Sequence, residues 1–213
     1  MSTKYTENSM CKKCRRAGEK LFLKGERCNS AKCAMIKRNF IPGVHGPTAR
    51  VGKITNYGKQ LKEKQKAKRI YGVLELQFWN YFVKAKSKVG NTGELLFRQL
   101  ESRLDNTAYR LGFATSRRGA RQMVSHGHIR VNGKKVNIPS YQIKVGDVIS
   151  VSDRALGKAG FASVAARVKK AENIPAWLSV SADKPEGKMT SLPKLGDIAV
   201  NIDWRTIVEF YSK

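Results

Sequence analysis

Asn132-Gly133 stands between two short runs, Ile129-Arg130-Val131 and Lys135-Val136. Asn-Gly flanked by alternating apolar residues is the strongest short signal for a β-hairpin, because both central residues of a type I′ turn need positive φ. A two-residue turn also sets the register of the strands it joins. Upstream, Ser116 is placed to cap a helix from Arg117 to about His126, and Gly127 to end it. Before that, Leu96, Leu100, Leu104, Ala108 and Leu111 form one helical stripe stopped by Gly112. After the hairpin, Ile143, Val145, Val148, Ile149 and Val151 supply further strands, broken by Gly146-Asp147. Residues 92–151 therefore read as helices followed by a small antiparallel sheet, and the fold class is α+β.

The first 90 residues pattern differently. Pro42-Gly43, His45-Gly46-Pro47, Gly52 and Asn56-Tyr57-Gly58 make residues 39–58 a turn-rich stretch holding Arg50 and Lys53. Then Ile70, Leu74, Phe78 and Phe82 recur every four residues behind Lys62, Lys64, Lys66, Lys68 and Arg69. That spacing predicts one amphipathic helix with a basic N-terminal extension. Cations there oppose the helix dipole, and an external anion relieves the repulsion.

Charge points to the same kind of partner. The chain has 42 Lys and Arg against 16 Asp and Glu, a net of +26 over 213 residues. Residues 1–90 hold 22 basic and 5 acidic side chains, a net of +17; residues 91–213 hold 20 and 11, a net of +9. A domain this basic repels itself unless it meets a polyanion, and phosphate neutralisation releases counterions in a salt-dependent way. Solubility alone is reached with far less charge. No apolar run is long enough to span a membrane, and Met1-Ser2-Thr3-Lys4-Tyr5 lacks a secretory h-region, so a cytosolic location is expected.

All four cysteines fall in the first 33 residues: Cys11, Cys14, Cys28 and Cys33, spaced C-x2-C-x13-C-x4-C. A C-x2-C turn lets two thiolates share one metal, and a second pair completes a tetrahedral zinc site. Bound metal supplies folding energy that a short Lys- and Gly-rich segment does not obtain from burial. Arg15 and Arg16 beside the first pair would favour thiolates and reach phosphates. Four thiolates also suit an iron–sulfur cluster; disulfides are disfavoured in a reducing compartment.

The polar residues of the module converge. Ser116, Arg117, Arg118, Arg121 and Gln122 occupy the first turns of the capped helix, and Arg130, Lys134 and Lys135 decorate the hairpin. Arginine pairs bidentately with phosphate, and a helix N-terminus adds backbone donors. One face thus offers donors in fixed geometry to folded RNA.

Leu100 to Val151 resembles a known RNA-binding module. The resemblance rests on Arg103-Leu104-Asp105-Asn106, Tyr109-Arg110-Leu111-Gly112-Phe113, Ala120-Arg121-Gln122, Val124-Ser125-His126-Gly127 and Val131-Asn132-Gly133. The module, of the alpha-L type, is named after the fourth small-subunit ribosomal protein. Tyr57-Gly58, Leu61, Glu63-Lys64-Gln65-Lys66 and Arg69 to Glu75 resemble the N-terminal region of the same family. So do Asn91-Thr92-Gly93-Glu94, Pro175-Ala176-Trp177-Leu178 and Ile207 to Lys213. Nearly the whole chain is similar to the bacterial S-four ribosomal family, in its cysteine-containing form. The resemblance adds Arg103, Asn106, Arg110, His126 and Asn132 to the expected RNA-binding set. It implies binding to the 5′ domain of 16S rRNA that nucleates small-subunit assembly, contact with ribosomal protein S-five, and a part in translational accuracy. It also implies basic residues along the path by which mRNA enters, which Arg50 and Lys53 match. The implied organisation is a helical lobe over residues 1–90 with the metal knuckle at 11–33, the RNA-binding module over 91–195 with its core at 100–151, and residues 196–213 returning to the first lobe.

Arg103-Leu104-Asp105-Asn106-Thr107 also resembles the stretch that carries the catalytic Asp of RNA pseudouridine synthases. Such an enzyme needs a separate catalytic sheet domain, and only about sixty polar, Pro-containing residues follow the module. His45, His126 and His128 form no triad with carboxylates. The expectation is a binding protein with no catalysis, no small-molecule substrate, no membrane and no homo-oligomer. The competing reading is a zinc-type nucleic-acid regulator acting off the ribosome.

Overall fold

The structure is a computed structural model that describes residues 7–48, 52–158, 161, 163–169, 174–181, 184–197 and 201–212. It divides into two compact units. One holds the described residues up to Glu75 together with those from Ile202 onward; the other spans Leu76–Asn201.

In the first unit, α1 (Glu7–Ala17), α2 (Glu26–Asn29) and α3 (Ala34–Lys37) are short helices. Cys14, Ala17 and Leu21 form a small buried cluster with Leu23, Met35 and Ile70 packed on it. The long helix α4 runs Asn56–Tyr71. It starts inside the expected breaker stretch because Thr55 caps it, its hydroxyl accepting from the Gly58 N–H. It ends at Gly72, whose left-handed φ of 63° lets the cap N–H bond the Lys68 carbonyl. The single helix expected through Leu74 is therefore two, and α5 (Glu75–Lys86) begins after the turn. Leu74, read as core, lies in that turn and is 74% exposed.

The last helix, α11 (Trp204–Tyr211), packs on α4. Asp203 caps it by accepting from the Arg205 and Thr206 N–H groups, and the Thr206 hydroxyl, helped by these N–H groups, outweighs burial and holds its carboxyl below the ordinary value. The Tyr71 and Trp204 rings stand 6.4 Å apart, and Gln60 donates to Glu209. Glu63 accepts from the Asp203 N–H at 3.2 Å.

In the second unit, which begins at Leu76, α5 buries Phe78, Tyr81, Phe82 and Ala85. Helix α6 (Thr92–Glu101) is capped by Asn91. The expected single stripe from Leu96 to Leu111 breaks at Ser102-Arg103, and α7 (Leu104–Arg110) begins in a new direction. The break is held by backbone bonds to a distant loop: Leu104 N–H to Tyr141 O, Asp105 N–H to Pro139 O and Ile143 N–H to Ser102 O. Those bonds satisfy groups that a continuous helix would have paired internally. Helix α8 (Arg117–Ser125) is capped by Ser116 and closed by Gly127 at φ 69°.

The hairpin pairs β1 (Ile129–Val131) with β2 (Lys134–Lys135), and Asn132 and Gly133 both have positive φ. Strand β3 (Val148–Val151) is the last part of the expected apolar run. Val145 is half exposed, and Ile143 is buried outside any strand. After α9 (Asp153–Leu156) and α10 (Val164–Lys169) come β4 (Leu178–Val180) and β5 (Glu186–Met189). The antiparallel sheet has the order β2-β1-β3-β5-β4. Its inner face meets α7 and α8 over Leu104, Leu111, Phe113, Val124, Ile129, Ile149, Trp177 and Met189, all fully buried. Each large side chain so buried contributes about 1.5–3 kcal/mol, which makes this core the rigid base of α8 and the hairpin.

Candidate nucleic-acid interface

Two acidic side chains lie beneath the basic surface of the second unit. Glu101 is fully buried and takes Arg110 in a bidentate pair, Nε to Oε2 at 3.1 Å and Nη2 to Oε1 at 3.0 Å. Glu101 also accepts from Asn106 Nδ2 at 2.7 Å, and Asn106 Oδ1 accepts from Arg117 Nε at 2.8 Å. The Arg117 guanidinium lies 4.6 Å from the Tyr109 ring centroid.

The second acid, Asp105, is 3% exposed. Arg103 grips it with Nε and Nη2 at 3.0 and 2.8 Å while donating from Nη1 to Tyr81 Oη at 2.7 Å. Burial alone would lower the Arg103 guanidinium, but Asp105 and Tyr81 reverse this and raise it. Arg121 closes on the same carboxylate from α8. Asp105 thus holds Arg121 directly, and Glu101 holds Arg117 through the Asn106 amide, both near the start of α8.

Several expected RNA contacts are thus structural. Arg103 and Asn106 are 2% and 1% exposed, already paired, and out of a phosphate's reach. Arg110 serves Glu101. Asn132 accepts from the Val148 N–H and donates to Asp147, stapling the turn to β3. Ser116 caps α8. In the first unit, Lys64 and Lys66 are 6% and 4% exposed: Lys64 pairs with Glu75 and lies over the Phe210 ring, and Lys66 pairs with Glu19. Lys68 also meets Glu75. Helix periodicity places these lysines outside, but α1 and α11 pack on α4, and the Glu75 carboxylate meets Lys64 and Lys68.

The exposed remainder forms the candidate interface. Arg118, Gln122 and His126 project from α8, and Lys134 and Lys135 from β2, with Arg130 half-buried on β1 beside Asp153. Arg118, Lys134 and Lys135 have no acidic partner among the described residues. In the first unit, Arg16 and Lys62 are exposed and Arg69 is half-buried. Burial and then the nearby Arg16 charge lower the Arg69 guanidinium, a repulsion that an anion would relieve. Arg15 bonds the Phe40 carbonyl at 2.8 Å and lies over the Phe40 ring. Lys53 is exposed, and Arg50 lies outside the described residues.

The four cysteines line one small cavity with Met10, Leu23 and Met35. Cys28 Sγ accepts from the Lys24 N–H at 3.3 Å. Burial pushes the Cys14 thiol up, and although the Leu21 backbone counters this, Cys28, Cys11 and Cys33 add to it. Among the described residues, no three Cys, His, Asp or Glu groups stand in a metal-holding arrangement. Four thiol side chains nonetheless share one small space, with a backbone N–H turned toward one of them.

Glu101, Tyr81 and Tyr109 are parts of this site that residue pattern alone does not single out. Glu101 sits beside Leu100 on an apolar stripe, and only the break after Ser102 turns Asn106 and Arg110 back onto it. No helix is long and apolar enough to cross a membrane among the described residues.

A capped helix and a tight hairpin on a shared core, rimmed by unpaired cations over buried carboxylates, define a binding module for a polyanion. Residues 4–101 match the family model of the ribosomal protein S4/S9 N-terminal domain, and residues 102–149 match the S4 domain. The chain is 53% identical over 210 residues, 99% of each chain, to small ribosomal subunit protein uS4A of Alkaliphilus oremlandii. It is equally identical, with the same coverage, to small ribosomal subunit protein uS4 of Acidobacterium capsulatum. To uS4A of Clostridium acetobutylicum it is 51% identical, again over 99% of each chain. The chain belongs to this uS4 family of ribosomal proteins, and it is not an enzyme.

Proposed function

We propose that this chain is a structural protein of the cytoplasmic small ribosomal subunit that binds the 5′ domain of 16S rRNA. The observation that carries the reading is the rim of Arg118, Lys134 and Lys135, unpaired among the described residues, beside Arg117 held on the buried Asn106 amide and Arg121 held on the buried Asp105 carboxylate. Such a surface reads the positions of phosphates. A-form RNA hides its base edges in a deep major groove, so shape and backbone carry recognition. Pre-set arginines lose less freedom on binding than loose ones, which favours one RNA geometry over another.

Early binding that nucleates subunit assembly, contact with ribosomal protein S-five and a part in accuracy belong to the same proposal. So does the placement of Lys53 near the path of incoming mRNA. In the first unit, Arg16, Lys62 and Arg69 would meet a second segment of the same RNA. Zinc would be held by Cys11, Cys14, Cys28 and Cys33, replacing the mutual repulsion of crowded thiolates by coordination and fixing α1 to α3. An iron–sulfur cluster is the alternative occupant.

The test is sedimentation of the native protein with small ribosomal subunits in high salt. Retention on the small subunit supports the reading. Release into the free pool together with other RNA or DNA would favour a regulator off the ribosome.

A further inference from the structure

A cleft of about 290 Å³ opens beside α8, lined in part by Thr115, Gln122, Met123, His126, His128 and Phe161. Its walls are apolar and polar, and Arg167 also lines it, its Nη2 donating to the Phe113 carbonyl at 3.1 Å. Met123 and Phe161 are apolar, and His128 meets Phe161 edge-on, ring centroids 4.9 Å apart at 72°. Thr115, Gln122 and His126 bring a hydroxyl, an amide and an imidazole. His126 and His128 are also in aromatic contact, at 5.9 Å. Burial, then the Lys158, His126 and Lys135 charges, hold His128 below its ordinary value, which favours its neutral ring. A neutral ring offers a π-face without adding to the surrounding positive charge. Gln122 and His126 also belong to the exposed rim of α8, so the cleft is continuous with the proposed RNA face.

We infer that this cleft receives one unstacked nucleobase of the bound RNA. The base would stack on the Phe161–His128 pair and present its hydrogen-bonding edge to Gln122 and Thr115. Its phosphate would lie toward Lys135 and Lys158. Unstacked bases are recognised in this way, by an aromatic face and a few edge contacts. A bare phosphate would gain nothing from Met123 and Phe161. The inference rests on the RNA-binding reading and adds base capture to a face otherwise built for phosphates.

Two measurements on the intact protein decide it. In the first, NMR follows the His126 and His128 ring signals during titration with guanosine or uridine, and separately with inorganic phosphate. Shifts with the uncharged nucleosides and not with phosphate are expected. Phosphate-only shifts, or none, would overturn the pocket. In the second, Phe161→Leu and Gln122→Ala are compared with the wild type on the 5′ domain of 16S rRNA. Phe161→Leu is expected to weaken binding at least about fivefold, since one base stack is worth that much or more, and Gln122→Ala about two- to tenfold for a lost hydrogen bond, both with the salt slope unchanged. Unchanged affinity, or a slope reduced by about one, would contradict base capture. If the wild type does not bind this RNA, the RNA-binding reading itself fails, and the nucleoside titration still decides the pocket.

Discussion

Arg121, on α8, closes on the carboxylate of Asp105, on α7, through two nitrogens, Nε at 2.9 Å and Nη2 at 2.6 Å from Oδ2. Asp105 is already held from the other side by Arg103. One buried carboxylate therefore serves a buried guanidinium and a half-buried one. The second arginine is the link between the core and the rim of the proposed interface.

Asp105→Asn removes the charge that both arginines share and leaves Arg103 buried without compensation. Breaking one partner of a buried pair costs about 3–5 kcal/mol. Urea unfolding of the variant is expected to show a loss in that range. A loss below about 1 kcal/mol would mean that the network does not hold the module together.

Arg118→Ala with Lys134→Ala touches only exposed side chains that lack acidic partners among the described residues. Stability should change by less than about 0.5 kcal/mol. The slope of log affinity for rRNA against log salt should flatten by about one to two. Arg121→Ala should behave differently and lower stability as well as affinity, because it leaves the buried Asp105 carboxylate with one of its two arginines. An unchanged slope in the double variant would remove the rim from the interface.

Glu75 gives the first unit an acid limit. Burial raises its carboxyl, but hydrogen bonds from Lys64, Lys68 and Tyr211 overcome this and hold it at about 2, against an ordinary 4.5. A depressed folded-state value means stability that is present in full above pH 4.5 and lost progressively between 4.5 and 2. Glu75→Gln should lower the melting temperature at pH 7 and show a smaller further fall across that window. Because Glu75 is about half exposed, solvent screening keeps the gain small. Parallel acid profiles for the two proteins would contradict the assignment.

Gly127 ends α8 at φ 69°, and a Cβ there would come within 2.0 Å of Lys135 Cε. Lys135 can swing away, so the backbone sets the cost. Gly127→Ala should destabilise by about 1–2 kcal/mol. Gly127→Asn should cost less, because Asn tolerates the left-handed region. Equal losses would show that crowding, and not φ, sets the requirement.

The cysteine cavity yields a separate expectation. Cys11→Ser with Cys14→Ser should abolish metal uptake and speed hydrogen exchange in α1 to α3, leaving the second unit unchanged. Elemental analysis with an absorption spectrum distinguishes zinc from an iron–sulfur cluster. Unaltered exchange in the variant would make the cysteines bystanders.

Local chemistry made some of this legible in the sequence. The Ser116 cap, the Gly127 stop and the Asn132-Gly133 turn depend on a few adjacent residues, and each appears where the sequence places it. Helix breaks did not show. Gly72 and Ser102-Arg103 interrupt apolar stripes whose spacing runs on unbroken, and the bonds that fix the second break come from residues 139–143. The strands β4 and β5 are short, lack turn signals of the Asn-Gly kind, and enter the sheet only by pairing with β3. The interface was visible as a concentration of charge but not as a division of labour. Arg103, Lys64 and Lys66 look like any other surface cation until the carboxylates folded against them are known.

The central claim is that pre-set cations on a rigid module select one folded RNA. Its most direct test is equilibrium binding of the intact protein to the 5′ domain of 16S rRNA, compared with an RNA duplex of equal length over a range of salt. The account predicts a preference for the folded domain of at least about a hundredfold that persists as salt weakens both complexes. Equal affinities that fall together would contradict it and reduce the +26 charge to nonspecific attraction.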